Sequence, residues 1–511
     1  MPDSATKVFA GIIVQPGPDP TNTPCSKNGP WEGPLAPSRN VLRLTEFICP
    51  VILARMNAYE DSGPRAVIGT SLFIFLFFQL LPGLAADNWP QWRGPSSNGV
   101  SSDSGLPVQW SPEEHIAWKV SLTGLGVSSP IVWDDRVFVT SQTGKAPVQQ
   151  GQQPQLARDD QTLARQEKPM SVRSMDPGAS EEKISLVVEA FRRSDGHRLW
   201  RYSTPATGEL PQLHEKHNLA TPTPVTDGRL LYAWFGNGQL FALDMNGHLV
   251  WTRHLGLEYS PFTTPWGHGS SPVLYKNLVL LLCDHVSKSY LLALDKNTGK
   301  ECWKIDRGEG RVSHSTPLVV EGPKGDELIV NSSARIDAYN PADGEFLWYA
   351  GSARQTPIPS PVFYNGVIYL SRGYRNSDFL ALRPGGRGDV SESNILWRAP
   401  SGASYVPSIL YYEGLLYVTN EVGIVTCADA ETGKAVWRQR LGGIFFASPV
   451  AGDGKVYMVS ETGETFVLRA GREPAILAQN DLGERLLASP AISNGCLFLR
   501  SDGTLFCIAA R

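Results

Sequence analysis

"DKNTGKECWK" (295–304) and "DAETGKAVWR" (429–438) are nearly the same phrase, written 134 residues apart. Extended back by two residues, the phrase reads Ala-x-Asp-x-x-Thr-Gly-x-x-x-Trp. It runs from Ala293 to Trp303 and, with Cys in first place, from Cys427 to Trp437. Ala190 to Trp200 and Ala338 to Trp348 keep its length. Ala242 to Trp251 is one residue shorter, Ala381 to Trp397 carries a six-residue insertion, and Val467 to Leu477 keeps the length without the tryptophan. In such a phrase the glycine supplies a positive φ, the Asp, Asn or Thr side chain bonds turn amides, and the indole fills space against a neighbouring unit. The repetition describes how the chain is built.

A second phrase marks where each unit opens: a small residue, then Ser or Thr, then Pro, then apolar residues. It appears as "SSPIV" (128), "PTPV" (222), "SSPVL" (270), "STPLV" (315), "PSPVF" (359), "VPSIL" (406), "ASPVA" (447) and "ASPAI" (488). After the first unit the spacing is 40 to 48 residues. Each opening is followed by an NG, DG or EG turn, an alternating strand, a second strand, an x-x-Gly turn and a strand carrying Trp. Four short strands with tight turns make one antiparallel blade. Eight of them predict an all-β, eight-bladed β-propeller. The first unit is longer because residues 142–183, rich in Gln, Pro and Arg, read as a disordered insertion between its second and third strands. The last unit ends after its third strand, "LFCIAA", while "HIAWKVSL" (115–122) precedes the first opening. That N-terminal strand is expected to complete the last blade and close the ring, leaving no open edge at the join.

The totals narrow the function. A net charge of −4 gives no basic footprint for nucleic acid. The seven cysteines show neither a CxxC pair nor zinc-ligand spacing. Arg65 precedes the apolar run "AVIGTSLFIFLFFQLL" (66–81), which ends in Pro82-Gly83 and small residues up to Ala86. Residues 66–86 read as an export signal or, if uncleaved, a signal anchor, the only route to a membrane. The expected address is the periplasm, the cell surface or the exterior. Residues 1–65 are Pro-rich and aperiodic, an unstructured lead, with Met56 as the alternative start. Residues 87–114 form a strap ahead of the propeller at 115–511.

The Ala-x-Asp-x-x-Thr-Gly-x-x-x-Trp unit resembles the tryptophan-docking motif of the pyrroloquinoline quinone (PQQ) repeat propellers. Counting Trp118, seven of eight blades keep the indole: Trp118, Trp200, Trp251, Trp303, Trp348, Trp397 and Trp437. The start "NWPQWRGPSSNGV" (88–100) is similar to that of secreted PQQ-like propellers of planctomycete-type bacteria. The resemblance covers roughly residues 87–511 and implies a fold shared with quinoprotein alcohol dehydrogenases and with the outer-membrane assembly propeller lipoprotein, which carries no cofactor. The dehydrogenase branch implies PQQ, a Ca²⁺ held by Glu, Asn and Asp, an Asp base, and in many members a disulfide between adjacent cysteines. This chain has no adjacent cysteine pair and no CxxCH. No cofactor is expected, with PQQ and calcium left open.

Strand order places the inter-blade links and the hairpins between second and third strands on one face. "LHEKHNLATP" carries His214 and His217, "TPWGHGSSP" carries His268, and "GRVSHSTP" carries Arg311 and His314, all in successive links. His285, Arg372, Tyr374 and Arg375 belong to hairpins on the same side. Three readings of this cluster stand: a metal site, a hydrogen-bonding cup for a small ligand or peptide, or residues that satisfy backbone and solvate a face. "HEKH" is not a zincin, whose HExxH needs histidines four apart on a helix. "RGD" (387–389), on the opposite face, reads as a solvated loop. The leading functional expectation is a non-catalytic, extracytoplasmic scaffold that binds a protein or small ligand. The alternatives are a PQQ- and calcium-dependent oxidoreductase and a metal-dependent enzyme built on His217, His268 and His314. Peptide mapping of the expressed protein tests the start at Met56: no peptide from residues 1–55 is expected, and finding one refutes it.

Overall fold

The structure, a computed structural model, describes residues 88–144, 148–149, 183–211, 213–264, 266–352, 357–373 and 378–510. The lead, the signal segment, Tyr374, Arg375 and most of the first-blade insertion lie outside them.

Eight antiparallel sheets of four main strands follow one another along the chain as blades 1 to 8. Blade 3 shows the pattern, with strands Val273–Tyr275, Leu278–Cys283, Ser289–Asp295 and Glu301–Gly308 in that order. Second and third strands are buried on both faces, because each blade is covered on either side by its neighbours. The apolar core therefore lies between blades: Tyr232, Trp234 and Leu240 of blade 2 pack against Val279, Leu281 and Cys283 of blade 3. Only the four-residue turn of helix Leu255–Glu258 interrupts the strands among the described residues.

The ring closes as the chain ends require. Ile116–Ser121 pairs antiparallel with Thr504–Ala509, setting Trp118 opposite Cys507. Phe498, not Cys496, faces Cys507 across the last hairpin. Both ends of the propeller are thus tied into blade 8.

The repeated phrase holds the two halves of a joint. Trp118 covers Gly196 of blade 1, Trp200 covers Gly247 of blade 2, Trp251 covers Gly299 of blade 3, Trp303 covers Gly344 of blade 4, and Trp397 covers Gly433 of blade 6. A Cβ on these glycines would stand 2.4–2.8 Å from the ring. The glycine is needed for its positive φ and for its bare surface. The indole N–H then donates to a turn carbonyl of the next blade: Trp118 to Arg193 (2.8 Å), Trp200 to Met245 (2.9 Å), Trp251 to Lys296 (2.9 Å), Trp397 to Ala430 (3.1 Å) and Trp437 to Gly471 (3.1 Å). Trp303 and Trp348, on either side of blade 4, depart from this rule.

The opening phrase forms a belt. The amide of Ser129 donates to the hydroxyl of Thr223 at 3.0 Å, Thr223 to Ser271 at 3.0 Å, and Ser271 to Thr316 at 3.0 Å. Thr316 donates to Ser360, Ser360 to Ser408 and Ser408 to Ser448, each at 2.9 Å, and Ser448 to Ser489 at 2.8 Å. Each amide lies just ahead of its blade's first strand, and its acceptor is the same residue one blade on. Ser408 keeps its place although Ile409 stands where the other seven units have Pro.

Two segments cross the ring. On the face of the first-to-second-strand turns, Trp89 pairs with Val132 of blade 1 and Thr226 of blade 2 donates to Pro90. From there the strap reaches the far side, where Arg93 donates to Ile409 O at 2.8 Å and Val100 pairs with Ala451 of blade 7. On the opposite face the link between blades 1 and 2 extends Lys216 to Glu461 of blade 7 at 2.7 Å, over the ring of Phe446.

Two expectations are refined. Val148–Gln149, within the insertion, form a strand parallel to Leu213–His214. RGD is not a free loop: Gly388–Asp389 pair with Trp348 and Tyr349 as a parallel fifth strand on blade 4.

Gly433→Ala is expected to destabilise the protein by about 2 kcal/mol more than Gly414→Ala. Both glycines have positive φ, but only Gly433 lies under an indole, whereas nothing stands within 4 Å of a Cβ at Gly414. Denaturant midpoints of the two variants read the difference, and equal midpoints would show that the ring does not need the bare glycine.

Candidate functional site

The inter-blade links and second-to-third-strand hairpins of blades 2 to 5 place the sequence candidates on one face, but not as an open cup. His268, in the link before blade 3, is fully buried, with its ring 4.3 Å from Trp234 and 5.1 Å from Phe262. His285, just past the second strand of blade 3, is equally buried, 4.4 Å from Phe262 and 5.9 Å from Tyr290. His314 is buried beside His217, with ring centroids 5.9 Å apart. His214 remains partly exposed, and its Nδ1 accepts from the Lys216 amide at 3.2 Å.

Both ring nitrogens of His268 and of His285, and Nδ1 of His217 and His314, are buried without a hydrogen bond. Burial therefore favours the neutral form. It pulls His217 down to about 3, with the charges of His314 and His214 adding to the effect. His285 and His314 fall to about 4, and His268 lies well below its ordinary value. Neutral imidazole is a metal ligand. Even so, His217, His268 and His314 do not converge as a metal set: among the described residues no three His, Cys, Asp or Glu side chains do.

The arginines are structural anchors. Arg307, fully buried, grips Asp284 through both carboxylate oxygens (2.8 and 3.2 Å) and Asp337 at 3.2 Å. Arg311 and Arg335 also bond Asp337, each at 2.6 Å. Arg372 donates to Asn331 Oδ1 and to the carbonyl of Ser352 (3.1 Å), joining blades 4 and 5. Tyr374 and Arg375 lie outside the described residues.

Several important residues escaped the sequence reading. Arg500 ends the second strand of blade 8 and donates to the Ser128 carbonyl (3.1 Å), the Ser128 hydroxyl and Ser141 Oγ (2.9 Å). Burial pulls this guanidinium down to about 9. Its signal was a charged residue ending a strand that is otherwise apolar. Lys216 was present in "HEKH", but its partner Glu461 is 245 residues away. Around these groups Leu125, Leu257, Trp266, Val286 and Ile444 stand exposed on links and hairpins of the same face. Trp266 does so at a φ of 68°, unusual for a bulky residue.

The quinone and calcium of the dehydrogenase branch would need open carboxylates and adjacent thiols. Asp284 and Asp337 are held by arginines, and Glu461 by Lys216 and Arg485, so these carboxylates are not open to an ion. Cys283, Cys427, Cys496 and Cys507 are free thiols, and no two of them are adjacent in sequence. These residues do not fit the group. Among the described residues no helix is long and apolar enough to cross a membrane.

Comparison with known proteins adds the following. A family model described as outer membrane protein assembly factor BamB matches residues 185–410 and 386–472, together more than half of the chain. Tetrathionate hydrolase from Acidithiobacillus ferrooxidans is 25% identical over 317 residues, 56% of this chain and 56% of that protein, so the chain spans little more than half of that relative. Outer membrane protein assembly factor BamB from Salmonella typhimurium is 26% identical over 312 residues, 48% of this chain and 78% of its own length. Among solved structures, a europium-containing methanol dehydrogenase superposes with a TM-score of 0.58 at 12% identity, covering 83% of this chain and 98% of its own. Quinohemoprotein alcohol dehydrogenase from Comamonas testosteroni gives 0.53 at 13% identity, covering 83% and 80%. At such identities the likeness is one of fold alone.

The buried imidazoles make a pH prediction. Their pKa values lie below the unfolded value of 6.5, so the unfolded chain binds more protons between about pH 4 and 6.5. Stability is expected to fall as pH drops below about 6.5, by several kcal/mol for the group. Denaturant midpoints from pH 7.5 to 5 measure the slope, which His268→Phe should flatten. An unchanged slope would mean that the imidazoles are not buried as described.

Proposed function

The chain belongs to the family of PQQ-repeat propellers described by outer membrane protein assembly factor BamB, and on that premise we propose that it is an exported, non-catalytic binding or assembly scaffold. The surface it offers is the face of the inter-blade links. The observation that carries this reading is the state of that face. Asp284, Asp337 and Glu461 on it are held by arginine or lysine, and His268, His285 and His314 are buried, whereas Leu257, Trp266, Val286 and Ile444 remain exposed. A catalytic centre needs titratable groups free to meet a substrate. A protein-binding surface needs exposed apolar and aromatic side chains on a rigid frame, with a polar surround.

Relatives named as assembly factors support the same role, and with it a protein partner and an extracytoplasmic address. The run at 66–81 supplies the export route. Relatives named tetrathionate hydrolase keep an enzymatic reading in view, and the quinoprotein neighbours keep PQQ and calcium in view. The engaged carboxylates and the thiols that are not adjacent in sequence weigh against the quinoprotein.

A calcium-supplemented PQQ titration of residues 87–511, with melting temperature, quinone absorbance and dye-linked alcohol oxidation followed together, separates the readings. A flat response is expected. A saturable, calcium-dependent rise with dye reduction would replace the scaffold by a quinoprotein. As the positive test, Trp266→Ser with Leu257→Ser is expected to leave the melting temperature within about 2 °C of the parent and to abolish retention of a partner co-purified from the native host. Retention equal to the parent's would remove this face from the proposal.

A further inference from the structure

Blade 4 breaks the indole pattern at both of its joints, and a pocket lies where it breaks. Trp303, arriving from blade 3, has a buried indole N–H with no acceptor. Trp348, leaving for blade 5, does not donate to a turn carbonyl. Its N–H turns to Glu327 Oε2 at 2.7 Å, within its own blade. The insertion after the third strand of blade 5 takes the place of the usual turn: the Gly385 amide donates to the same carboxylate oxygen at 3.1 Å, and Gly388–Asp389 add a fifth strand. Five of the eight joints keep the bond from indole to turn carbonyl, and a local departure from such a repeat marks a place shaped for something other than the ring.

The cavity formed there measures about 330 Å³ and opens on the face opposite the inter-blade links. Glu327, only 4% exposed, is part of its lining, and no cation bonds its carboxylate. Burial pushes the carboxyl above its usual range, because the bonds from Trp348 and Gly385 and the weaker pull of the Arg387 charge do not offset lost hydration. The exposed residues Lys276, Lys324 and Arg387 stand around it, and Tyr275 and Leu347 contribute apolar wall. Asp326 and Glu345 also line the pocket, but Asp326 accepts from the Tyr275 hydroxyl at 2.9 Å and Glu345 from Arg387 at 3.0 Å. A buried carboxyl lies inside, and around it the cations Lys276, Lys324 and Arg387 stand against the carboxylates Asp326 and Glu345.

We infer that this pocket binds a small zwitterion, with its ammonium end on Glu327 and its carboxylate end among Lys276, Lys324 and Arg387. An ammonium supplies the countercharge that a buried carboxylate lacks, through charge-assisted hydrogen bonds. A carboxylate at the rim meets cations whose own surface pairing is weak and readily exchanged. The site is independent of the proposed scaffold surface, which lies on the other face.

The test uses the whole protein and a series of ω-amino acids from glycine to 6-aminohexanoate, with butylamine and butyrate as single-charge controls. Melting temperature and calorimetric titration are the readouts. One chain length is expected to bind saturably, with both controls about tenfold weaker or worse. Glu327→Gln keeps a neutral acceptor for Trp348 and Gly385 and is expected to weaken that ligand about tenfold. Lys324→Glu, at an exposed position, is expected to weaken it from the other end and stands in if the first variant fails to fold. An N-acetylated peptide ending in lysine separates a protein C-terminus from a free solute, and binding of either supports the site. No saturable binding by any member, equal binding of butylamine, or full affinity in both variants overturns it.

Discussion

An amide just ahead of each blade's first strand, held in the hydroxyl of the same residue one blade on, is the bond on which the ring depends. A propeller blade is a flat sheet with no inward connection of its own. Its first strand faces the axis, and the amide preceding that strand has no ladder partner. Buried without an acceptor, such a group costs a few kcal/mol. A Ser or Thr at each opening removes that cost for its neighbour. Seven such bonds, from Ser129 round to Ser489, link the eight blade starts in order. The outer joints repeat the logic with a different pair, an indole and a bare glycine. Inner and outer joints together fix the angle between blades, and the apolar cores between blades are packed to that angle.

Given such a frame, irregular features are informative because each one departs from a rule. The strap and the link carrying Lys216 cross the ring on opposite faces, so neither face keeps an unobstructed axis. The histidines before blades 3 and 4 lie within packed aromatic surroundings and act as neutral polar filler. Blade 4 is irregular at both of its joints, and its altered acceptor, Glu327, is a buried carboxyl beside a cavity. The same scaffold thus separates an apolar face suited to a protein from a small polar pocket on the other side.

Much of the fold was legible because repetition amplifies a weak local signal. One Thr-Gly turn or one Ser-Pro step means little, but eight copies at similar spacing identify a closed ring, and the missing fourth strand of blade 8 identified Ile116–Ser121 as its replacement. The candidate face was legible in topology and not in state. Strand order placed His217, His268, His285 and His314 on one side, yet nothing local told that Trp234 and Phe262 would cover His268 and that Phe262 would also cover His285. Exposure depends on neighbours from other blades, and those neighbours are distant in sequence.

The sequence by itself determined the number of blades, the turn chemistry and the place where the ring closes, since each of these is written in a local pattern that repeats from unit to unit. Only the tertiary structure decided which charges are free and which are held. Arg307 with Asp284 and Asp337, Lys216 with Glu461, and Trp348 with Glu327 are bonds whose partners meet only after the strands are stacked. Periodicity specifies backbone geometry, whereas electrostatic pairing and burial depend on distances through space, which periodicity does not record.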